Sequence, residues 1–337
     1  MVILLKDGIT QPISSDLERV EDELTSITQS DFNLLYNISF SLLKAGGKRL
    51  RPTLVLLSGR FFNYHLKSVL PIAAAIELLH MATLIHDDII DDSKLRRGEP
   101  TVNHRWGKRV AVLNGDLLYA HAMKLMTKVE DRELVSELVD VILIICKGEM
   151  QQFTQLRSLD QDLNSYLNRI EQKTALLLAK SCQLGARACG ADNSQQQILF
   201  DYGLNLGIAF QIINDLKDLI NEEAELGKPP GDDLRQGIMT LPIIHALQSS
   251  PERAVIADVL STKDPEERLV QRAIDLIRET DAAEETIKFA RGYTHRAYQQ
   301  LYSLPDLPAR RSLFQLLNYI SGQDYQEDWF LDQKISY

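Results

Sequence analysis

The feature that most constrains this chain is an apolar helix that ends in a cluster of carboxylates. Residues 72–85 are mostly apolar, and the sequence HDDIIDD follows at once at residues 86–92. Acidic side chains are rarely placed at the end of a buried helix without a cation beside them. Asp87 and Asp91 are four residues apart, so on a helix they share one face and repel unless a cation lies between them.

Carboxylates with no histidine or cysteine among the ligands favour Mg²⁺, which takes one or two carboxylates and completes its shell with phosphate oxygens and water. An acidic helix end in solvent is the alternative interpretation. The next motif, LRRGEP at residues 95–100, supplies Arg96, Arg97 and a turn. Acids followed by paired arginines indicate a site for a metal-bound polyanion.

Composition narrows the class of protein. The 337 residues are 45% hydrophobic and only 7% aromatic, which fits a large helical protein. A net charge of −10 argues against nucleic-acid binding. The three cysteines, Cys146, Cys182 and Cys189, form no CxxC pair, which is typical of reduced thiols. We expect a cytoplasmic protein with no membrane span and at most peripheral membrane contact.

A second stripe of oxygen ligands follows more than a hundred residues after the first. In FQIINDLKD at residues 210–218, Asn214 and Asp218 share a helical face, and Asp215 lies beside them. Two such helices facing each other would place ligands on both sides of one cavity, as in the metal sites of helix bundles.

A basic turn could bind a further anion. In GGKRLRP at residues 46–52, the glycine pair allows the backbone to approach a ligand closely, and Lys48 and Arg51 could reach one anion together. A solvated basic turn remains an equally good interpretation of this stretch alone.

Helical periodicity extends through most of the remaining chain. No linker divides it, so we predict one domain spanning residues 1–337. Its core covers about residues 15–321, with a lead-in at 1–14 and a tail at 322–337 that are both candidates for flexible segments.

The motifs occur together in an order that resembles one enzyme family. They are GGKRLRP at 46–52, ELLH at 77–80, HDDIIDD at 86–92, LRRGEPTVN at 95–103, LNGDLLYA at 113–120, GEMQQ at 148–152, KT at 173–174, FQIIND at 210–215 and GKPPGDD at 227–233. Over roughly residues 30–320 the chain resembles the all-trans polyprenyl diphosphate synthases. The resemblance implies an all-α fold, a single large helical bundle around a deep central cavity, usually dimeric.

The resemblance also implies roles for individual residues. The metal side would comprise Asp87, Asp88, Asp91, Asn214, Asp215 and Asp218, with Asp92 in support and Mg²⁺ as cofactor. The groups implied to bind isopentenyl diphosphate are Gly47, Lys48, Arg51, His80 and Arg97. Those implied to face the allylic diphosphate are Arg96, Lys173, Thr174, Gln211 and Lys228. Mg²⁺ would assist ionisation of the allylic diphosphate, and the alkene of isopentenyl diphosphate would attack the cation.

Two positions depart from the family pattern. The second acidic motif normally begins with aspartate, where this chain has Asn214, and the following loop usually carries a lysine, where this chain has Ile238. Small residues at Ala82 and Thr83, just before Asp87, predict an open tube for the growing chain. We therefore predict a product longer than farnesyl diphosphate, either geranylgeranyl diphosphate or a longer chain.

Two other functions remain open. Asn214 and Ile238 would also suit a weakly active or regulatory subunit of a prenyltransferase heteromer in place of a homodimer. The spacing of Asn214, Asp218 and Glu222 also resembles the second metal motif of class I terpene cyclases, with Asp218 in place of the usual serine or threonine. A cyclase, however, has no need of the second diphosphate pocket that the basic turn predicts.

Overall fold

The computed structural model describes residues 7–28, 38, 47–96, 98–221 and 230–322, and almost all of its regular structure is helical. The elements are α1 (Asp7–Thr10), a 3₁₀ turn (Gln11–Ile13), α2 (Ser14–Thr28), α3 (Leu50–Gly59), α4 (Leu66–Ile90), β1 (Leu95–Arg96), β2 (Glu99–Pro100), α5 (Val102–Trp106), α6 (Lys108–Met126), α7 (Arg132–Gln155), α8 (Leu163–Ile170), a π turn (Glu171–Ala175), α9 (Leu176–Arg187), α10 (Asn193–Ile220), α11 (Asp232–Gln236), α12 (Leu241–Ser249), α13 (Arg253–Ser261), α14 (Glu267–Arg278), α15 (Ala282–Tyr302) and α16 (Pro308–Ser321). The predicted all-α bundle is confirmed.

The carboxylate cluster lies at the end of a central helix. By length and composition α4 could cross a membrane, but 72% of its most apolar window is buried inside the protein. Ala73, Ala74 and Ile76 are fully buried. Burial on every side explains why this helix is apolar all round rather than amphipathic.

Glycines let neighbouring helices approach closely. A Cβ on Gly203 would lie 2.7 Å from the Cα of Ala179, and one on Gly207 would lie 2.5 Å from the Cα of Ala175. Only glycine fits at these two positions, so both allow the close helix contact. The contact fixes α10 against α9 and the π turn, which positions one wall of the site described below.

A third glycine sets the packing beside the first acidic motif. A Cβ on Gly115 of α6 would lie 2.2 Å from Nε2 of His86. The imidazole fills this space and stacks on Tyr119, with ring centroids 5.9 Å apart. Helix α6 thus holds the residue immediately before Asp87.

Two apolar clusters form the core, and α10 contributes to both. Its first half packs with α9 and α16, and Tyr202 and Leu206 belong to the first cluster. Its second half packs with the C-terminal helices through Ile208, Ile212 and Leu219. The two clusters therefore meet on α10 between Leu206 and Ile208, just before its acidic motif.

One boundary differs from the sequence-based expectations. Residues 7–14 of the expected lead-in are helical, because Ile9 and Ile13 are buried and α1 packs against α16. Residues 1–6 and the tail 323–337 lie outside the described residues.

Candidate active site

The first acidic motif divides into inward and outward carboxylates. Asp88 is buried, Asp91 caps the C-terminus of α4, and both lie on the wall of a cavity of about 310 Å³. Asp92 has a backbone φ of 50° and is exposed, and its carboxylate pairs with Lys108 at 2.7 Å. The turn after α4 therefore directs Asp92 away from the cavity.

The β1–β2 hairpin returns Arg96 to the acidic motif. The Nε of Arg96 donates to both oxygens of Asp88 at 2.9 and 3.0 Å, and Nη2 lies 2.8 Å from Oδ1. Asn103 fixes the returning chain, because its Nδ2 donates to the carbonyls of Asp88 and Ser93. The guanidinium and the carboxylate thus reach the cavity as a pair.

The opposite wall is a chain of hydrogen bonds that ends on Asp215. Thr174 Oγ1 donates to Gln211 Oε1 at 2.9 Å, and Gln211 Nε2 donates to Asp215 Oδ1 at 2.7 Å. Tyr166 donates its hydroxyl to Asp215 Oδ2 at 2.7 Å. Burial raises the pKa of Asp215 to about 6, even though both donors favour its charged form.

A π turn carries Lys173, one of the cationic residues of the site. Lys173 and Thr174 lie within the π turn Glu171–Ala175, a local irregularity that is often found at functional sites. Lys173 Nζ pairs with Glu149 at 2.9 Å. Burial disfavours the ammonium, but the charges of Asp87 and Glu149 outweigh it and raise the pKa of Lys173.

Loss of hydration also raises the pKa of aspartates on α4. It raises the pKa of Asp87 to about 7, although the charge of Lys173 works in the opposite direction. The pKa of Asp91 is raised for the same reason. The partly buried Asp87 and the exposed Asp91 therefore stand on one helix end with Lys173 as the nearest source of positive charge among the described residues, and a bound cation would relieve their repulsion.

The cavity unites both acidic motifs. The predicted site residues on its wall are Asp88, Asp91, Arg96, Lys173, Thr174, Gln211 and Asp215. Asp87, Asn214 and Asp218 are described residues that lie off this wall. Asp218 instead accepts from the backbone N–H of Asp233 at 3.2 Å, which anchors α11.

The predicted isopentenyl side is separate from this cavity. Lys48 is exposed and lies over the ring of Tyr319, with Nζ 4.8 Å from the ring centroid. Burial lowers the pKa of Arg51 to about 10 against the opposing charge of Glu77. His80 shares the face of Asp87 on α4, about 10 Å along the helix axis. These residues, with the half-buried Gly47, are not on the wall of the cavity. The predicted residues Arg97, Glu222 and Lys228 lie outside the described residues.

The two predicted product-length residues occupy different faces of α4. Thr83 is rotated about 40° from Asp87, whereas Ala82 is rotated about 140°. Thr83 is half-buried and donates its hydroxyl to the carbonyl of His80 at 2.8 Å. Ala82 is fully buried, on the side of His86 that faces α6. Thr83 is thus the residue one turn below the acids.

Sequence reasoning missed several residues of the cavity. Arg169, Asp232 and Asp233 line it, and Tyr166 and Glu149 hold Asp215 and Lys173 in place. Two signals were available: Glu149 stands in GEMQQ, and Arg169 is one helical turn before Lys173. Neither could show that the chain near residue 239 folds against residue 169.

The donor set fits Mg²⁺ that is completed by a substrate. Within the described ranges, no group of three or more aspartate, glutamate, histidine or cysteine side chains converges into a ready metal site. The available donors are carboxylates on facing walls, and Mg²⁺ characteristically uses one or two of these with phosphate oxygens. Asp87 and Asp91 of α4, neither of which has a paired cation at hydrogen-bonding distance among the described residues, supply the negative charge.

Comparisons with known proteins agree on one family. The family model described as "Polyprenyl synthetase" matches residues 32–277. The chain is 42% identical over 313 residues to "Heptaprenyl diphosphate synthase component 2" of Geobacillus stearothermophilus, covering 93% of this chain and 97% of the relative. The protein of the same name from Bacillus subtilis (strain 168) is 39% identical over 313 residues, covering 93% and 89%.

A solved structure agrees with the sequence relatives. It is the polyprenyl synthase from Caulobacter crescentus CB15 complexed with calcium and isoprenyl diphosphate, with a TM-score of 0.90 and 33% identity. The alignment covers 95% of this chain and 98% of that structure.

Proposed function

The chain belongs to the polyprenyl synthetase family, and on that premise we propose that it extends an allylic diphosphate with isopentenyl diphosphate, using Mg²⁺, to a product of geranylgeranyl length or longer. It is a prenyltransferase. The observation that carries the proposal is a single cavity with Asp88 and Asp91 on one wall and Asp215 on the other. Arg96 and Lys173 also line this cavity.

The protein groups of this cavity bind and orient a diphosphate. Arg96 and Lys173 each keep N–H groups beyond those used on Asp88 and Glu149, so both can donate to phosphate oxygens. Mg²⁺, when bound, would neutralise the departing diphosphate so that the allylic C–O bond can break. Asp91 on α4 and Asp215 on α10 would be ligands for Mg²⁺, with Asp87 adding negative charge next to Lys173.

Bond formation requires the second substrate close to the allylic carbon. His80 lies about 10 Å from Asp87 along α4, which suits a diphosphate group bound at a separate place with its alkene directed back towards the acids. Ile170 and Ile238 are apolar residues of the cavity wall and would limit the access of water to the allylic cation. The carbocation left by formation of the new C–C bond then loses a proton to the released diphosphate, which completes the longer prenyl chain.

The proposal is tested by dependence on the second substrate. The purified chain should release diphosphate from an allylic primer only when isopentenyl diphosphate and Mg²⁺ are both present. Release of a hydrocarbon from the allylic diphosphate alone would support terpene cyclisation instead.

An exposed apolar stripe on α7 supports self-association. Val139, Leu143, Met150 and Phe153 are 38%, 51%, 72% and 68% exposed. They fall on one face of α7 over about 21 Å of helix, and exposed stripes of this kind mark protein interfaces. We propose that two copies of the chain pair through this stripe. In a dimer with a twofold axis, the stripe of one copy packs against the same stripe of the other, and both are buried.

Replacing Leu143 with aspartate should shift the chain from dimer to monomer in sedimentation velocity, because a buried unpaired charge is costly at an interface. Leu269→Asp is the matched control, since Leu269 is a similarly exposed leucine on α14. It should leave the sedimentation coefficient unchanged. A Leu143→Asp variant that sediments like the wild type would remove the stripe from the interface.

A heteromer is the second candidate. Two relatives carry the name "component 2", which indicates that those proteins act with another component. On this alternative the stripe on α7 would cover a different chain, and the protein alone would sediment as a monomer and extend no primer.

Restoring the family aspartate at residue 214 tests whether the second acidic motif is weakened. Asn214 is partly buried on α10 beside Asp215. Asn214→Asp should lower the Mg²⁺ concentration for half-maximal activity by about tenfold, as expected for one added charge interaction. The measurement is a Mg²⁺ titration of initial rates. An unchanged titration curve would show that residue 214 is remote from the metal, and inactivity of both forms would favour the partner-subunit alternative.

A further inference from the structure

Arg169 is a cation on the wall of the cavity that none of the predicted motifs includes. It lies on α8, one helical turn before Lys173. Its Nη1 donates to Gln161 Oε1 at 2.9 Å, and its Nη2 donates to the backbone carbonyl of Met239. The guanidinium carbon is 5.4 Å from the ring centroid of Tyr166, the residue that holds Asp215.

The partners of Arg169 set it apart from the other two cations of the cavity. Arg96 is paired with Asp88, and Lys173 is paired with Glu149. Arg169 donates only to neutral oxygens, and within the described ranges no carboxylate lies within ion-pair distance of it. Its charge is therefore not committed to a protein anion.

A half-buried guanidinium without a paired carboxylate is costly to keep charged. Burial lowers the pKa of Arg169 below its ordinary range, while the more distant charge of Asp215 works to restore it. Of its five N–H groups, two serve Gln161 and Met239, so three remain for a ligand. A planar fork of this kind suits phosphate oxygens.

The contact with Met239 places Arg169 against the turn that contains Ile238. Arg169 and Ile238 both lie on the wall of the same cavity. The turn contributes an apolar side chain at Ile238, and the guanidinium of Arg169 supplies a positive charge beside it. Arg169 on α8 therefore places a cation beside Ile238, where the turn itself carries no cationic side chain.

We propose that Arg169 binds the diphosphate group held in this cavity and supplies the positive charge that the turn at Ile238 lacks. The proposal rests on the proposed function for the identity of the substrate, an allylic diphosphate. It predicts that Arg169 contributes to diphosphate affinity directly, beyond bracing the turn through Met239.

The direct test is binding of inorganic diphosphate in the presence of Mg²⁺, measured by titration calorimetry on the intact chain. Arg169→Met should weaken binding by about 10- to 100-fold, the loss expected for hydrogen bonds to a charged ligand. The matched control is Arg157→Met. Arg157 also donates to backbone carbonyls next to this turn, those of Thr262 and Arg235, but does not line the cavity. Its loss should change the affinity by less than about threefold.

A rescue experiment separates charge from bracing. Arg169→Met should also raise the KM for the allylic primer. Ile238→Lys introduced into the Arg169→Met variant should recover most of the lost affinity for diphosphate and lower this KM. Arg169→Gln, which keeps a donor for Met239 but loses the charge, should bind diphosphate as poorly as Arg169→Met. It takes the place of Arg169→Met in all comparisons if the methionine variant melts early.

Two results would overturn the proposal. One is a wild-type affinity for diphosphate in Arg169→Gln, and the other is a loss of affinity that Ile238→Lys does not restore. Failure of the proposed function has a different signature: the wild-type chain would bind diphosphate but extend no primer with isopentenyl diphosphate.

Discussion

Replacing Asp91 with asparagine is expected to lower kcat for primer extension by about 10³-fold, the scale of losing several kcal/mol of metal-assisted charge stabilisation. Asp91 caps the last turn of α4, lies on the cavity wall and has no cationic partner at hydrogen-bonding distance among the described residues. The substitution keeps the shape of the side chain and removes only the charge. Steady-state kinetics at saturating Mg²⁺ measure the effect.

Asp92→Asn is the matched control for this prediction. The two aspartates are adjacent in sequence and both are exposed, but Asp91 lies on the cavity wall whereas Asp92 lies off it and pairs with Lys108. Exposed ion pairs contribute little, so kcat should stay within about twofold of the wild type. Equal losses in both variants would mean that the acidic motif acts through overall charge, contradicting a metal site on the cavity wall.

Replacing Thr83 with phenylalanine is expected to shorten the main product to farnesyl diphosphate or below. Thr83 is about 6 Å below Asp87 along α4 and about 40° around the axis, so a ring there would stand beneath the reacting carbon. The half-exposed side chain has room to enlarge. Chromatography of the dephosphorylated products against prenyl alcohol standards measures the chain length.

Thr83→Val controls for loss of the hydroxyl that donates to His80, and it should leave the product unchanged. Ala82 stays a predicted product-length residue, but Ala82→Phe is a less direct test. Ala82 is fully packed on the face towards α6, and overpacking there costs about 1–3 kcal/mol of stability. A Thr83→Phe enzyme that still makes the wild-type product would place the growing chain elsewhere.

Local sequence patterns predicted what depends on a single helix. The apolar run before Asp87 and the periodicity around Asp215 were sufficient to place both acidic motifs at helix ends. The prediction of an all-α bundle needed only the sum of such patterns and the family resemblance.

Contacts between distant segments were beyond these patterns. Arg96 was expected to hold the allylic diphosphate, and the hairpin also pairs it with Asp88. The contact of Arg169 with Met239 joins residues 70 positions apart, which no spacing rule predicts. The π turn at Glu171–Ala175 is likewise a departure from ideal helical geometry, and periodicity cannot anticipate which residues it redirects.

The most direct measurement is the chain length of the product made by the purified chain alone. The protein is incubated with Mg²⁺, labelled isopentenyl diphosphate and each allylic primer in turn, and the extended products are resolved by length. We expect incorporation of label into an all-trans product longer than farnesyl diphosphate. No labelled product with any primer would contradict it and assign the chain to a heteromer that needs a second component.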